Sequence, residues 1–119
     1  VDLYGVDCYF NGSSKGVLAD IRVAVEAAGQ DGKIAALTEG GQHGGLTAKV
    51  SGKHYTEQFL APIKSDPVAS QIAYMLVWRN GSPAHHWVPV KGDSQFEDFK
   101  KFARDPAVVF GDRVPPMCR

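Results

Sequence analysis

No stretch of this sequence approaches the roughly 20 apolar residues that a membrane-crossing helix needs. No N-terminal segment has the basic-then-apolar layout of a signal peptide. Cysteine is scarce: the 119-residue chain holds two, Cys8 and Cys118. Neither a Cys-x-x-Cys pair nor a Cys/His spacing suggests zinc, and two free thiols are expected. An excess of charge of one sign is missing too. Thirteen Lys and Arg balance thirteen Asp and Glu, so the formal net charge is zero. Nothing in that balance would draw a nucleic acid or an anionic membrane surface as a partner. Repeats and low-complexity segments are absent. The run Gly40-Gly41-Gln42-His43-Gly44-Gly45 lacks the Lys-Ser/Thr of a phosphate loop and the GxGxxG register of a dinucleotide fold. No GxSxG context supports a serine nucleophile. His85 and His86 have no acidic or cysteine partner at ligand spacing, so they read as loop residues. No metal or cofactor is expected.

What is present is ordinary for a globular protein: 44% hydrophobic and 22% charged residues. The length allows one domain at most, so residues 1–119 are read as one unit. The chain begins at Val1, without Met and inside an apolar run, which points to a portion of a longer polypeptide.

Hydrophobic periodicity divides the chain. Val1 to Phe10 reads as a strand ending at the turn residues Asn11-Gly12-Ser13-Ser14. Val17 to Gly29 reads as a helix, with Val17, Leu18, Ile21, Ala24, Val25 and Ala28 on one side and Gly29 as its C-cap. Lys33 to Thr38 is a short apolar strand of the buried parallel kind. A glycine-rich loop spans Gly40 to Gly52. Lys53 to Lys64 predicts a second helix whose last turn Pro62 distorts. Ser70 to Trp78 predicts a third strand, and His85 to Val90 a short extended piece. Asp93 or Ser94 would cap a third helix whose Phe96, Phe99 and Phe102 form a core stripe ending at Asp105-Pro106. The order βαβαβα argues for parallel strands with crossover helices. A small doubly wound sheet fits, as does a slice of a (βα)8 barrel, whose full form needs about 250 residues.

Both architectures place chemistry at the C-terminal strand ends. There the apolar runs give way to polar residues: Asp7-Cys8-Tyr9, Thr38-Glu39 and Trp78-Arg79-Asn80. With a period of two, Leu3, Gly5, Asp7 and Tyr9 share one face, and Ala35, Leu37 and Glu39 share another. Glu39 stands out, because a carboxylate closing an apolar strand must be solvated, paired or functional.

Ile34-Ala35-Ala36-Leu37-Thr38-Glu39 resembles the seventh-strand motif of glycoside hydrolase family 26. Ala73 to Asn80, with its Trp78-Arg79-Asn80, resembles the eighth-strand motif. Val1 to Phe10 is similar to the sixth strand, and His86 to Gly92 with Asp98, Phe99 and Phe102 to the run into the last helix. The resemblance covers nearly the whole chain. It implies the C-terminal three βα units, strands 6–8, of a (βα)8 TIM barrel, in a secreted hydrolase. The implied reaction is hydrolysis of β-1,4-mannosidic bonds in mannan, glucomannan or galactomannan by retaining double displacement. By that resemblance Glu39 is the nucleophile, Tyr9 steadies it, and Trp78 floors the cleaved sugar. Arg79 and Asp7 are polar groups of the same subsite, with Arg79 orienting a carboxylate or a sugar hydroxyl.

The family's acid/base glutamate lies on a strand this chain lacks, as it lacks barrel strands 1–5. Glu26, Glu57 and Glu97 fall on predicted helices and cannot replace it. The isolated chain is therefore expected to be inactive. The loop from Gly40 to Gly52 is also richer in glycine than the family implies. Rival readings are another retaining β-glycanase, acting on β-1,3-xylan or mixed-linkage glucan, and a non-catalytic sugar-binding α/β domain.

Overall fold

The computed structural model describes residues 2–47 and 52–114. Strand β1 is Leu3–Phe10, helix α1 is Lys15–Gln30, and strand β2 is Ile34–Gln42. A π-helical segment, His54–Leu60, runs into the single-turn helix α2, Ala61–Ser65. Strand β3 is Met75–Val77 and helix α3 is Phe96–Arg104. The three strands are parallel and lie side by side in the order β1-β2-β3. An α/β fold on a parallel sheet is what the alternation of periods predicts.

The helices cover one face of the sheet. From α1, Val17, Ile21 and Ala28 are buried, and Leu18 and Val25 pack beside them, as 3.6-residue spacing dictates. The helix runs one residue past the expected end. Gly29 lies within it, and the turn is closed by Asp31 and by Gly32 at φ +64°. Cys8 and Phe10 of β1 and Leu37 of β2 complete the layer with Tyr55 and Phe59. Full burial of each large side chain contributes about 1.5–3 kcal/mol. The Cys8 thiol is pushed up to about 12 by burial and by the nearby Asp20 carboxylate, so it is an inert core group. Cys118 lies outside the described residues.

The second helix is not the regular one expected over Lys53 to Lys64. Its first seven residues are π-helical and α geometry begins only at Ala61. Pro62 sits in the first turn of α2. A proline has no N–H for the carbonyl four residues back and its ring crowds that carbonyl, so the distortion falls upstream of it rather than in the last turn. The orphan N–H groups of the π segment are capped from a distance. Asp98 of α3 accepts from the backbone N–H of Tyr55 at 2.8 Å and of Thr56 at 3.2 Å, and from the Thr56 hydroxyl. Gln95 accepts from the N–H of His54 at 3.1 Å and donates to the carbonyl of Gly52 at 2.9 Å.

Three other expectations change. The strand expected over Ser70 to Trp78 shrinks to Met75–Val77, because Ala69–Gln71 forms a 3₁₀ turn. Asp66 holds that turn, accepting from the N–H groups of Val68 (3.0 Å) and Ala69 (2.8 Å) and from Arg22. Asp93 and Ser94 do not cap α3. Its N-cap is Gln95, and the Asp93 carboxylate turns instead to the N–H of Val90 and the ring of His86. The Phe96-Phe99-Phe102 stripe is only partly core: Phe102 is buried, Phe99 packs against it, and Phe96 lies under Lys100 instead. A three-residue step falls about 60° short of a full helical turn, so the stripe winds away from the core.

Beyond β3 the sheet ends at an apolar groove of roughly 480 Å³, lined among others by Tyr74, Leu76, Phe99, Val108 and Phe110. Tyr74 and Leu76 are exposed there.

Candidate active site

The face of the sheet away from the helices carries the polar residues. On β1, alternation sends Val6, Cys8 and Phe10 to the helices and leaves Gly5, Asp7 and Tyr9 on the open side. On β2 the alternation breaks. Val6 pairs with Leu37 and Asp7 with Glu39, so Thr38 is an extra residue in the ladder, a β-bulge. Leu37 stays in the core, while Thr38 and Glu39 both face the open side. The expectation that Ala35, Leu37 and Glu39 share a face is thereby corrected, because the bulge resets the register between Leu37 and Glu39.

The bulge has a partner on β1. A Cβ at Gly5 would lie 2.7 Å from Cγ2 of Thr38, so glycine is what leaves room for the extra residue. The Thr38 hydroxyl donates to the carbonyl of Val6 (3.2 Å) and to Oδ1 of Asp7 (2.7 Å). The Tyr9 hydroxyl donates to Oε2 of Glu39 at 3.0 Å. Burial, followed by that bond and the Glu39 charge, pushes the Tyr9 phenol up to about 12, so it remains a proton donor at neutral pH. Glu39 is half-buried and Asp7 exposed.

Trp78 enters through the backbone: its N–H donates to the carbonyl of Gly40 at 2.8 Å, one residue past Glu39. Arg79 is exposed, with its guanidinium 5.5 Å from the centre of the Trp78 ring. Among the described residues it pairs with no carboxylate. Asp7, Tyr9, Glu39 and Trp78 thus gather at three neighbouring strand ends, and Arg79 lies on the rim.

Three residues at this site were given no role from the sequence. Trp87 packs on Tyr9 with ring centres 6.0 Å apart, and its indole N–H donates to the carbonyl of Gln42 at 3.0 Å. Asn80 staples the loop that carries it. Its Oδ1 accepts from the N–H groups of Trp87 and Val88, both at 2.8 Å, and its amide donates to the carbonyl of Val88 at 2.7 Å. Gly41 lies against the indole. The glycine run, whose first members belong to β2 and not to the expected loop, has a steric cause at two positions: a Cβ at Gly41 would meet Trp87, and one at Gly45 (φ +67°) would meet the carbonyl of His86. Closely spaced glycines after a strand signal such backbone approach, but do not say which side chain approaches.

His86 bonds the Val88 carbonyl (3.0 Å) and Asp93 (3.1 Å) as a loop residue, and among the described residues no three His, Cys, Asp or Glu side chains group to hold a metal ion.

No protein-family model matches the chain. A mannan endo-1,4-beta-mannosidase from Bifidobacterium adolescentis is 34% identical over 121 aligned residues, which take in 87% of this chain and 12% of that protein. A Cellulomonas fimi endo-beta-1,4-mannanase double mutant superposes with a TM-score of 0.84 at 40% identity, over 96% of this chain and 26% of that one. The glycoside hydrolase family 26 mannanase catalytic domain of Bacillus sp. JAMB-750 superposes at 0.72 and 34% identity, over 88% of this chain and 31% of that one. The chain belongs to glycoside hydrolase family 26. It spans about one eighth of the curated relative and about a quarter of the solved Cellulomonas mannanase. A carboxylate that closes a parallel strand with a tyrosine hydroxyl on one oxygen keeps its other oxygen free for a ligand or an electrophile.

Proposed function

We propose that this chain is the C-terminal portion, strands 6–8, of the catalytic barrel of a retaining β-1,4-mannan hydrolase, with Glu39 as nucleophile. The hydrogen bond from Tyr9 to Glu39 carries the reading. A nucleophilic carboxylate must present one oxygen to the sugar while the other is held. The Tyr9 hydroxyl on Oε2 leaves Oε1 to attack the anomeric carbon and form a glycosyl-enzyme ester, with the leaving oxygen taking a proton from a separate acid. Water, activated by that same group, then cleaves the ester with net retention.

Trp78 offers an apolar face for the sugar ring. Arg79 and Asp7 take its hydroxyls, since Arg79 has no protein carboxylate to satisfy among the described residues. The proton donor is the missing part. Glu26, Glu57 and Glu97 sit on helical segments, and the latter two pair with Lys53 and Lys100. The open sheet and the apolar groove beside β3 fit the reading that barrel strands 1–5, which would carry the acid/base group, complete the structure. On this reading the isolated chain does not turn over mannan, and the longer protein works outside the cell, where polymeric substrate is found.

Two experiments test this. A 2-deoxy-2-fluoro mannosyl fluoride, which traps glycosyl esters, is incubated with the protein that carries this segment, and peptides are mapped by mass spectrometry. Label on Glu39 is the expected result, and label on another carboxylate removes the assignment. Hydrolysis is compared on mannan, β-1,3-xylan and mixed-linkage glucan, and preference for either of the latter two replaces the mannan reading.

A further inference from the structure

We infer that Trp87 is a positioning residue for the nucleophile, acting through Tyr9. The inference rests on the reading of Glu39 as nucleophile and adds a residue to that machinery.

The Tyr9 side chain stands at the end of β1 on the open face of the sheet, where the helices give it no support. Its hydroxyl must stay within hydrogen-bond reach of Glu39, yet a phenol on a free Cα–Cβ bond moves among staggered rotamers. Among the described residues, Trp87 is the one aromatic ring that packs on it, at 6.0 Å and an interplanar angle of 58°. That tilted geometry is attractive, and it blocks one side of the phenol.

Trp87 can serve as a stop because it is itself fixed from four directions. Its backbone N–H is held by Asn80 Oδ1 at 2.8 Å, following β3. Its carbonyl accepts from the hydroxyl of Tyr55 in the π-helical segment. Its indole N–H reaches the carbonyl of Gln42 at the end of β2, at 3.0 Å. Its Cδ1 edge presses on Gly41, where any side chain would collide. Tyr55 is buried, and its segment is capped by Asp98, so the support continues into α3. Every polar group of Trp87 is spent on scaffold contacts. The indole N–H, the one polar atom of the side chain, is committed to the Gln42 carbonyl and is not left for a sugar hydroxyl.

The test uses the active protein that contains this segment, with Trp87→Ala and Trp87→Phe. Trp87→Ala frees the phenol. The expected result is a kcat roughly ten- to a hundredfold lower with KM changed little, the loss that misplacement of a reacting group produces. Trp87→Phe keeps one ring against Tyr9 while giving up the indole N–H and the second fused ring, so it recovers part of that loss. The second readout needs no substrate. Tyrosines labelled with ¹³C at Cζ are titrated by NMR, with Tyr9→Phe assigning the signal. The Tyr9 phenol, expected near 12 in the parent, moves toward the ordinary tyrosine value in Trp87→Ala and less in Trp87→Phe. Should Trp87→Ala fail to fold by circular dichroism, Trp87→Phe and Tyr55→Phe carry the same comparison with smaller shifts.

An unmoved Tyr9 titration in folded Trp87→Ala overturns the inference, as does a rise in KM with kcat unchanged, which would make Trp87 a sugar-stacking residue instead. Failure of the mannanase reading looks different: no polysaccharide is hydrolysed by any form, while the Tyr9 titration still separates the Trp87 variants.

Discussion

Gly41 and Trp87 stand so close that a Cβ on the glycine would come within 2.6 Å of the indole Cδ1. The contact joins the end of β2 to the loop after β3. Gly41→Ala should cost about 1–3 kcal/mol, the usual price of overpacking, and should alter the tryptophan near-ultraviolet circular dichroism. Gly29→Ala is the contrast. That position lies inside α1 with nothing within 4 Å of an added Cβ, so alanine should stabilise by about 0.5 kcal/mol. Urea unfolding midpoints of the two variants, moving in opposite directions, check both statements.

The Asp98 carboxylate holds the start of a helical segment that has no cap of its own. Asp98→Ala leaves the N–H groups of Tyr55 and Thr56 without their acceptor, at a cost of about 2–3 kcal/mol. Asp98→Asn keeps one acceptor oxygen and should lose less. Chemical denaturation of the two variants measures the difference. Equal losses would mean that the charge, and not the acceptor geometry, carries the contact.

Stability should fall with acid in two stages. Burial lowers the His54 basicity below its ordinary 6.5, with the Gln58 side chain and Asp98 opposing. The unfolded chain then binds a proton at a higher pH than the folded one does. The stability this group contributes is therefore present above about 6.5 and declines as pH drops below it. His54→Phe should flatten the melting temperature between pH 7.5 and 5. Asp66 follows at lower pH. Arg22, then the N–H groups of Ala69 and Val68, hold its carboxyl at about 2 against 3.8 unfolded. Its share is present above about 4 and is lost as pH falls toward 2. Asp66→Ala should remove that second stage and leave the first.

Tyr9→Phe removes the hydroxyl that meets Glu39 at 3.0 Å without removing the ring that rests on Trp87. A hydrogen bond to a charged group is worth about 1.5–3 kcal/mol, so turnover in the active protein should fall roughly 10- to 150-fold. Initial rates on a soluble mannan measure it. Unchanged kcat would remove Tyr9 from the machinery around Glu39.

Much of this architecture is visible in the chain's periods. The stripe from Val17 to Ala28 announces α1, and the short apolar runs announce parallel strands, because both patterns follow from a local repeat and one buried face. The gathering of Asp7, Tyr9, Glu39 and Trp78 is visible too, since parallel strands must end on one side. Residues whose job is to contact something distant in sequence were harder to read. Asn80 reads as a polar residue at a strand end until its amide is seen holding the backbone of Trp87 and Val88. Asp98 looks like a first-turn acid of α3 until it is seen bonded to Tyr55, 43 residues away.

The sequence by itself determined the alternation of helical and extended segments in outline, which strand ends carry carboxylates and aromatics, and which family those residues resemble. The tertiary structure alone decided where the carboxylate points. A period of two places Glu39 with Leu37 in the apolar layer. The bulge at Thr38, admitted by a glycine at position 5 on the neighbouring strand, turns it out toward Tyr9. Pairing register is a property of two strands together, and the local repeat of one strand carries no record of it.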